Sequence, residues 1–500
     1  MTLGELVSRM TVTWICGGPD TPVTGLAFDS RKAAEGEVFL CIAGARFDSH
    51  DAIADVAARG VAAVIISKDP AACGLGPDGV PGFPQTAVLQ VADARLAEAE
   101  LAAAWYGHPA DRLKTIGITG SKGKTTCAHM VAGIFEAAGH SVGTIGTNGV
   151  TYAGQWFELT NTTPAAHEMQ RYLREMADAG VDVAVIECSS QGLMQHRCSG
   201  FTFDAGIFMN ISHGDHIGPN EHKDFADYLY CKGRLLRHSR HAFVCADDEH
   251  AQDVLAGVTA PVTTFGFAEG ADYRLASVEK VFAQGAPGLH MAVEGRLQAE
   301  LDVNLPGTFN AVNALAAVAV ADTFGCDTAA MEEGLTHLHI RGRFEIVCKN
   351  SRMAVCVDFA HNGYSTRNHL EALREYHPKR LVCVFGADGN RSKDRRYEMG
   401  EASGRLADFS IITAGHNRWE PFEVIRDDIL IGMHKTDGEY LVIPNRVEAI
   451  RYAMENAQEG DLITILGLGH EFYQEEMGVM TPYSDKETVL RLAEELKLGE

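Results

Sequence analysis

The chain has 500 residues, 46% of them apolar and 22% charged, with a formal net charge of −24. That length exceeds what one hydrophobic core serves and predicts two to four domains, and the composition excludes a disordered chain. The acidity argues against a nucleic-acid surface, which needs clustered Lys and Arg; the start "MTLGELVSRM" lacks a secretory leader and no apolar run reaches about eighteen residues, so a cytoplasmic protein off the membrane is expected.

Residues 1 to 110 carry "TGLAFDSRKAAEGEVFLCIAGARFDSHD" and the apolar run "VAAVIIS", and end in "AWYGHPADRL", where Gly and Pro predict a linker. A second block, 111–340, opens on "KTIGITGSKGKTTCAHM" and alternates buried strand patterns such as "VDVAVIE" and "FDAGIFMN" with helical stretches. A third, 341–500, repeats the alternation with "MAVCVDF", "RLVCVFG", "FSIITA" and "DLITILG". Continuous apolar strands separated by helices predict parallel sheets covered on both faces, with chemistry at the carboxyl ends of the strands. The expected fold class is therefore α/β in three domains: an N-terminal α/β module, a central P-loop domain with a parallel sheet, and a C-terminal Rossmann-like domain.

The glycine loop Gly117 to Thr126 follows a strand and opens a helix, the context that makes a phosphate cradle. Helix N-terminal amides attract anionic oxygens, Lys124 reaches the terminal phosphates, Thr125 holds Mg²⁺, and Lys122 adds charge. The loop is off the common P-loop pattern, since five places before Gly123 stands Ile118. Glu187 ends an apolar strand, where a carboxylate faces a nucleotide's metal. Cys188 beside it reads as core filler, and the twelve cysteines, without C-x-x-C pairs, suggest neither zinc site nor disulfide framework. "NISHGDHIGPNEHKDFADYLYCKGRLL" gathers His213, Asp215, His216, His222 and Lys232, but the histidine spacing fits no common tetrahedral set, and Lys232 alone reads as a solvated helix lysine. The third block adds "LPGTFNAVNA", "RGRFE", "VDFAHNGYS", "GADGNRSKDRR" and "GLGHEFYQ", several of them turns at strand ends of one sheet.

Taken in order, these motifs resemble those of the Mur ligases of peptidoglycan synthesis over essentially the whole chain, and among them the type that adds a diamino acid to UDP-N-acetylmuramoyl-L-alanyl-D-glutamate. The family loop T-G-[TS]-x-G-K-T-T stands here as Thr119, Gly120, Ser121, Lys122, Gly123, Lys124, Thr125 and Thr126. The resemblance implies uridine contacts at Ser30 and His50, and muramoyl-peptide contacts at Thr162, Thr163, Ser189 and Arg197. It implies Mg²⁺ ligation by Glu187, His216 and a carbamylated Lys232 (N6-carboxylysine). It implies adenine and ribose contacts at Asn310, Arg343 and Asp358, a histidine at the closing face at His361, and amino-acid contacts at Arg391, Asn417, Arg418 and Glu471. The family exit N-[LI]-S-x-D-H has one extra residue here between Ser212 and Asp215, which makes His213 the alternative ligand.

The implied reaction uses ATP to phosphorylate the γ-carboxylate of D-glutamate. The resulting acyl phosphate has the leaving group a carboxylate lacks, and a free diamino acid then displaces phosphate. A monomer acting on these small molecules is expected. "GSKGKTT", Gln191, "DHIGPNEH" and "AHNGYS" side with L-lysine as the amine, with meso-diaminopimelate or ornithine as alternatives. A folylpolyglutamate synthetase is disfavoured by residues 1–110, and a nucleotide-binding scaffold without ligase chemistry by the joint presence of Lys124, Glu187 and Lys232.

Overall fold

A computed structural model describes all residues except 45–46, 214–216, 219–220, 284–285 and 498–500, and for 282–286 no side chains. The chain divides into two compact units, Met1–Phe265 and Gly266–Glu500.

The first unit holds two sheets. One has five strands in the order Thr13–Cys16, Ala87–Gln90, Ala63–Ile66, Glu37–Leu40 and Gly25–Ala27, parallel except for the first pair. Alternate residues feed two cores: Val38, Leu40, Ala63 and Ile65 enter one, Phe39, Val64, Ile66 and Val88 the other. Burial on both faces is why "VAAVIIS" reads as a continuous apolar run instead of an alternating one.

The other sheet centres on Lys114–Thr119, which runs parallel between Val183–Glu187 and Ala205–Phe208. Val142–Gly146 extends it on one side, Ala242–Cys245 and Val262–Gly266 on the other. The loop after Lys114–Thr119 thus opens where the strand order reverses, the crevice in which open α/β sheets bind ligands. "AWYGHPADRL" is tighter than a linker: helix Ala94–Trp105 runs into it, Gly107 and His108 take left-handed conformations, and Pro109–Arg112 forms a 3₁₀ turn. Arg112 then bonds Asp178 at 2.8 Å and the Ala177 carbonyl at 2.7 Å, which fixes the turn against the following sheet's helix Ala166–Asp178.

The second unit contains antiparallel strands Tyr273–Ala283, Ala286–Gly295 and Ala299–Val303, with helix Thr308–Thr323 packed on them. It also contains a six-stranded sheet in the order Glu345–Lys349, Met353–Asp358, Asp461–Leu466, Arg380–Phe385, Phe409–Ile412 and Glu439–Val442, parallel save the first pair. The four apolar runs of the third block are its inner strands. Val355, Val384, Ile411 and Ile463 pack on one face, Cys383, Phe385, Ile412 and Leu466 on the other, each under helices. A hairpin, Tyr473–Glu476 with Val479–Pro482, follows the last inner strand. The class is α/β with doubly wound parallel sheets, as expected. Among the described residues no helix is long and apolar enough to cross a membrane.

Candidate active site

Helix Lys124–Ala137 starts at Gly123, whose φ of +84° is a left-handed conformation open to glycine at little cost. The first amides of that helix have no intrahelical acceptor and point into the crevice at the sheet's carboxyl edge. Two loop amides are committed elsewhere: Ser121 N–H donates to the Asn210 carbonyl at 3.0 Å and Lys122 N–H to the Asn210 side chain at 2.9 Å. Asn210, at the end of the neighbouring strand, therefore pins the loop. Lys124 Nζ donates to the Gly120 carbonyl at 2.7 Å, folding the ammonium back over the cradle. Thr119 Oγ1 is buried with no hydrogen-bond partner among the described residues.

Glu187, 2% exposed, is the hub of the crevice. Its Oε2 accepts from Thr125 Oγ1 at 2.8 Å and Thr147 Oγ1 at 3.2 Å, and its Oε1 from Thr147 N–H at 2.8 Å. A buried carboxylate costs several kcal/mol, roughly, unless it meets opposite charge. The donors here are neutral, which fits a carboxylate built to face a hard cation. Thr147 Oγ1 in turn lies 3.2 Å from Thr162 Oγ1. Thr163 donates to the Glu187 carbonyl at 2.8 Å and accepts from Ser189 N–H at 3.0 Å, and Arg197 donates to the Thr163 carbonyl at 2.8 Å. The threonines, Ser189 and Arg197 named from sequence thus form one rim with Glu187. Cys188 is fully buried with its Sγ 3.6 Å from that of Cys198; burial above all, with the Cys198 thiol next, pushes it well above the usual thiol range, as core filler requires.

Lys232 is not a solvated lysine: on helix Phe225–Arg237 it is 1% exposed, with Nζ 4.7 Å above the Tyr228 ring. Tyr228 Oη is 2.8 Å from Ser121 Oγ, so the helix carrying Lys232 is tied directly to the phosphate loop. His216 and Asp215 lie outside the described residues. His213 stacks on Phe225 at 3.9 Å and meets His250. His222 is buried, with Nδ1 3.0 Å from Asp227.

In the N-terminal sheet, Ser30 is half-buried and its carbonyl accepts from Arg59. Phe28 of the same "FDSRK" stretch stacks on His167 at 4.7 Å, bringing it to the helix that follows "NTTP". His50 is turned inward: it is 5% exposed, Nδ1 lies 2.6 Å from Asp48, and Nε2 accepts from Ser67 N–H at 3.2 Å. Both ring nitrogens are used by the fold.

In the second unit, Asn310 is buried and bonded to the Pro306 carbonyl at 2.7 Å and to Asn313 at 2.9 Å. Asp358 ends an inner strand. Burial pushes its carboxyl up, but His369, Arg343 and the Phe344 amide outweigh that and hold it below the usual range. Arg343 lies over the Phe359 ring at 4.9 Å, and His361 Nδ1 is 2.8 Å from the Phe359 carbonyl. Arg391 is exposed in the turn before helix Lys393–Leu406. His416 Nδ1 accepts from Glu475 N–H at 3.1 Å, which puts the proton on Nε2, 2.8 Å from Glu471. Beside it, Arg418 stands with positive φ, one guanidinium nitrogen 3.5 Å from Asp388 and its Nε 3.8 Å from Glu475. That Nε is buried and lacks a hydrogen-bond partner among the described residues, as does Oδ1 of the adjoining Asn417.

Three family descriptions match this chain in succession: Mur ligase family, catalytic domain, at residues 22–106; Mur ligase middle domain at 118–321; and Mur ligase, glutamate ligase domain, at 342–469. A UDP-N-acetylmuramoyl-L-alanyl-D-glutamate–2,6-diaminopimelate ligase of Caldanaerobacter subterraneus subsp. tengcongensis is 34% identical over 482 residues, spanning 96% of this chain and 97% of its own. The chain belongs to the Mur ligase family. A similarly named ligase 1 of Clostridium acetobutylicum is also 34% identical, over 499 residues, covering 99% of this chain and all of its own. A solved structure of a ligase of that name shares the fold, with a TM-score of 0.71 and 24% identity over 99% of both chains. The protein is thus an ATP-dependent amide ligase with the three-domain Mur ligase architecture.

Sequence reasoning missed three residues that contact this candidate site. Thr147 lies 40 positions from Glu187, yet the parallel pairing of Val142–Gly146 with Val183–Glu187 places it on the carboxylate. Tyr228 and Asn210 were inside quoted segments, but a tyrosine and an asparagine carry no signal until the fold sets them against Ser121 and Lys122.

Proposed function

We propose that this Mur ligase joins the D-glutamate γ-carboxylate of UDP-N-acetylmuramoyl-L-alanyl-D-glutamate to meso-diaminopimelate, in three domains bounded near residues 110 and 340. The observation that carries the amine assignment is the half-buried Arg418, whose buried Nε lacks a hydrogen-bond partner among the described residues, on the same loop as His416, which orients the Glu471 carboxylate. The distal carbon of diaminopimelate bears both a carboxylate and an ammonium, which suit that pair. L-lysine has only the ammonium there and would leave the Arg418 Nε without a hydrogen-bond acceptor, its guanidinium meeting only Asp388 at 3.5 Å and Glu475 at 3.8 Å among the described residues. The sequence preference for L-lysine rested on "GSKGKTT", Gln191, "DHIGPNEH" and "AHNGYS", none of which includes Arg418 or Glu471, and is replaced on this ground and on the names of the two relatives above.

In the first half-reaction a γ-carboxylate oxygen bonds to the γ-phosphorus of ATP, and the bond from that phosphorus to the β–γ bridging oxygen breaks, releasing ADP. The helix amides after Gly123, with Lys124, bind the phosphates and disperse their charge. Asn210 and Tyr228 keep the loop in place. Thr162, Thr163, Ser189 and Arg197 hold the muramoyl peptide, and Ser30 contacts the uridine; His50 serves the fold. Asn310, Arg343 and Asp358 are assigned to adenine and ribose. Glu187 and Thr125 suit Mg²⁺, with Lys232 once its Nζ has added to CO₂ and lost a proton, and with His216. The ion supplies positive charge against the phosphoryl oxygens. In the second half-reaction the amine attacks the acyl carbon, the C–O bond to phosphate breaks, and phosphate and a proton leave. Arg418→Ala tests the assignment: the KM for meso-diaminopimelate should rise about 100-fold, the loss expected for a bidentate charged contact. An unchanged KM would remove Arg418 from the pocket.

A further inference from the structure

We propose that His213, Glu249 and His250 form a binding site for one borderline divalent cation of the Zn²⁺ class, separate from the residues assigned to Mg²⁺. Strands Ala205–Phe208 and Ala242–Cys245 are parallel neighbours, so the chain leaves both at the same sheet edge. His213 and His250 each lie five positions beyond their strand, 208 to 213 and 245 to 250. Their Nε2 atoms are 3.4 Å apart. That is long for an N–H···N hydrogen bond. It is the separation of two imidazole nitrogens each about 2.0–2.1 Å from one tetrahedral cation, roughly 3.3–3.4 Å.

The third ligand is at hand: Glu249 Oε1 lies 3.7 Å from His250 Nε2, and one ligand atom from each of the three residues falls within 4.8 Å of the others. The surroundings orient the rings. His250 Nδ1 is 3.0 Å from Asp253 Oδ2, which places the proton on Nδ1 and leaves the Nε2 lone pair for a metal, the carboxylate–histidine–metal relay. Asp248 accepts from His250 N–H at 2.9 Å and from Ile211 N–H at 2.8 Å, so the two connections are already linked beside the site. Phe225 stacks on the His213 ring at 3.9 Å and leans on His250 at 4.8 Å. Two imidazoles and one carboxylate select Zn²⁺, Co²⁺ or Ni²⁺ over the hard cations Mg²⁺ and Ca²⁺. Occupancy would clip the connection after Phe208, which leads into the Lys232 helix, to the turn after Cys245.

Metal-stripped full-length protein in millimolar Mg²⁺ would be titrated with Co²⁺ by visible absorption, and Zn²⁺ affinity read by displacement. The wild type should bind one equivalent with a low-symmetry Co²⁺ spectrum. His213→Ala/His250→Ala should lose that equivalent, Asp253→Asn should weaken it about 10-fold or more, and Glu187→Gln should retain it. Should the double variant misfold, the single exposed change Glu249→Gln, checked by circular dichroism, should weaken binding at least 10-fold. Equal stoichiometry and affinity in the wild type and the His213 and Glu249 variants would overturn the site.

Discussion

At Gly146 the need for glycine is steric and local. A Cβ there would sit 2.1 Å from Glu187 Oε1, so Gly146→Ala must displace the one carboxylate on which Thr125 and Thr147 converge. The expected outcome is a loss of stability of about 1–3 kcal/mol from overpacking, together with a rise in the Mg²⁺ concentration needed for half-maximal turnover. A stability loss with unchanged Mg²⁺ dependence would detach Glu187 from the metal. Lys232 carries a parallel test: Lys232→Ala should lower turnover about 100-fold or more, the scale of one lost electrostatic stabiliser, with partial rescue by short carboxylic acids. Ligation at the wild-type rate would dismiss its modification.

His470 reports through pH. Burial, followed by Arg343, Arg341 and His361, lowers its pKa from 6.5 to about 3. Below pH 6.5 the unfolded chain takes up a proton that the native ring refuses, so this residue lowers stability as pH falls from about 6.5 toward 3 and has no effect above that window. The slope is about 1.4 kcal/mol per pH unit at most. Denaturant unfolding at pH 7 and pH 5 should therefore show a smaller difference for His470→Asn than for the wild type. An equal difference would show that the ring titrates normally.

Among the elements, the hairpin Tyr473–Glu476/Val479–Pro482 holds the loop proposed to bind the amine. Arg418 N–H donates to the Glu475 carbonyl at 3.1 Å, the Met477 amide donates to the Arg418 carbonyl, and a Cβ on Gly478 would strike the Trp419 ring at 2.5 Å. The loop carrying Arg418 is thus docked on a hairpin that begins 55 residues later, and Glu475→Gln should raise the KM for the diamino acid while leaving that for ATP within twofold. Here lies the boundary of what sequence could tell. The phosphate loop was readable because strand, glycines and helix are contiguous, and Glu187 because it ends an apolar run. The inner strands of the central and C-terminal parallel sheets were readable for the same reason. The proposed amine pocket depends on a left-handed Arg418, a His416 tautomer fixed by a distant backbone amide, and a hairpin register; local residue patterns encode none of these. Lys232 looked solvated because a helix lysine gives no sign of which face is buried, and the His213–His250 pair is invisible to spacing because adjacency of two strands creates it.

For the whole molecule, the proposal separates two half-reactions. Lys124→Ala should stop both, whereas Arg418→Ala should leave substrate-dependent ATP–ADP exchange intact and slow only amide formation. Exchange that requires the diamino acid would reverse that order. The most direct measurement offers purified full-length protein ATP, Mg²⁺ and UDP-N-acetylmuramoyl-L-alanyl-D-glutamate with equal concentrations of meso-diaminopimelate, L-lysine and L-ornithine, and identifies the products by mass. The expected result is ADP release coupled to a product carrying meso-diaminopimelate, at least about 100-fold over L-lysine, the scale of one lost hydrogen-bonded charged contact in a substrate pocket. A product carrying mainly L-lysine would contradict the role given to Arg418, and no amide product with any amine would contradict the ligase function itself.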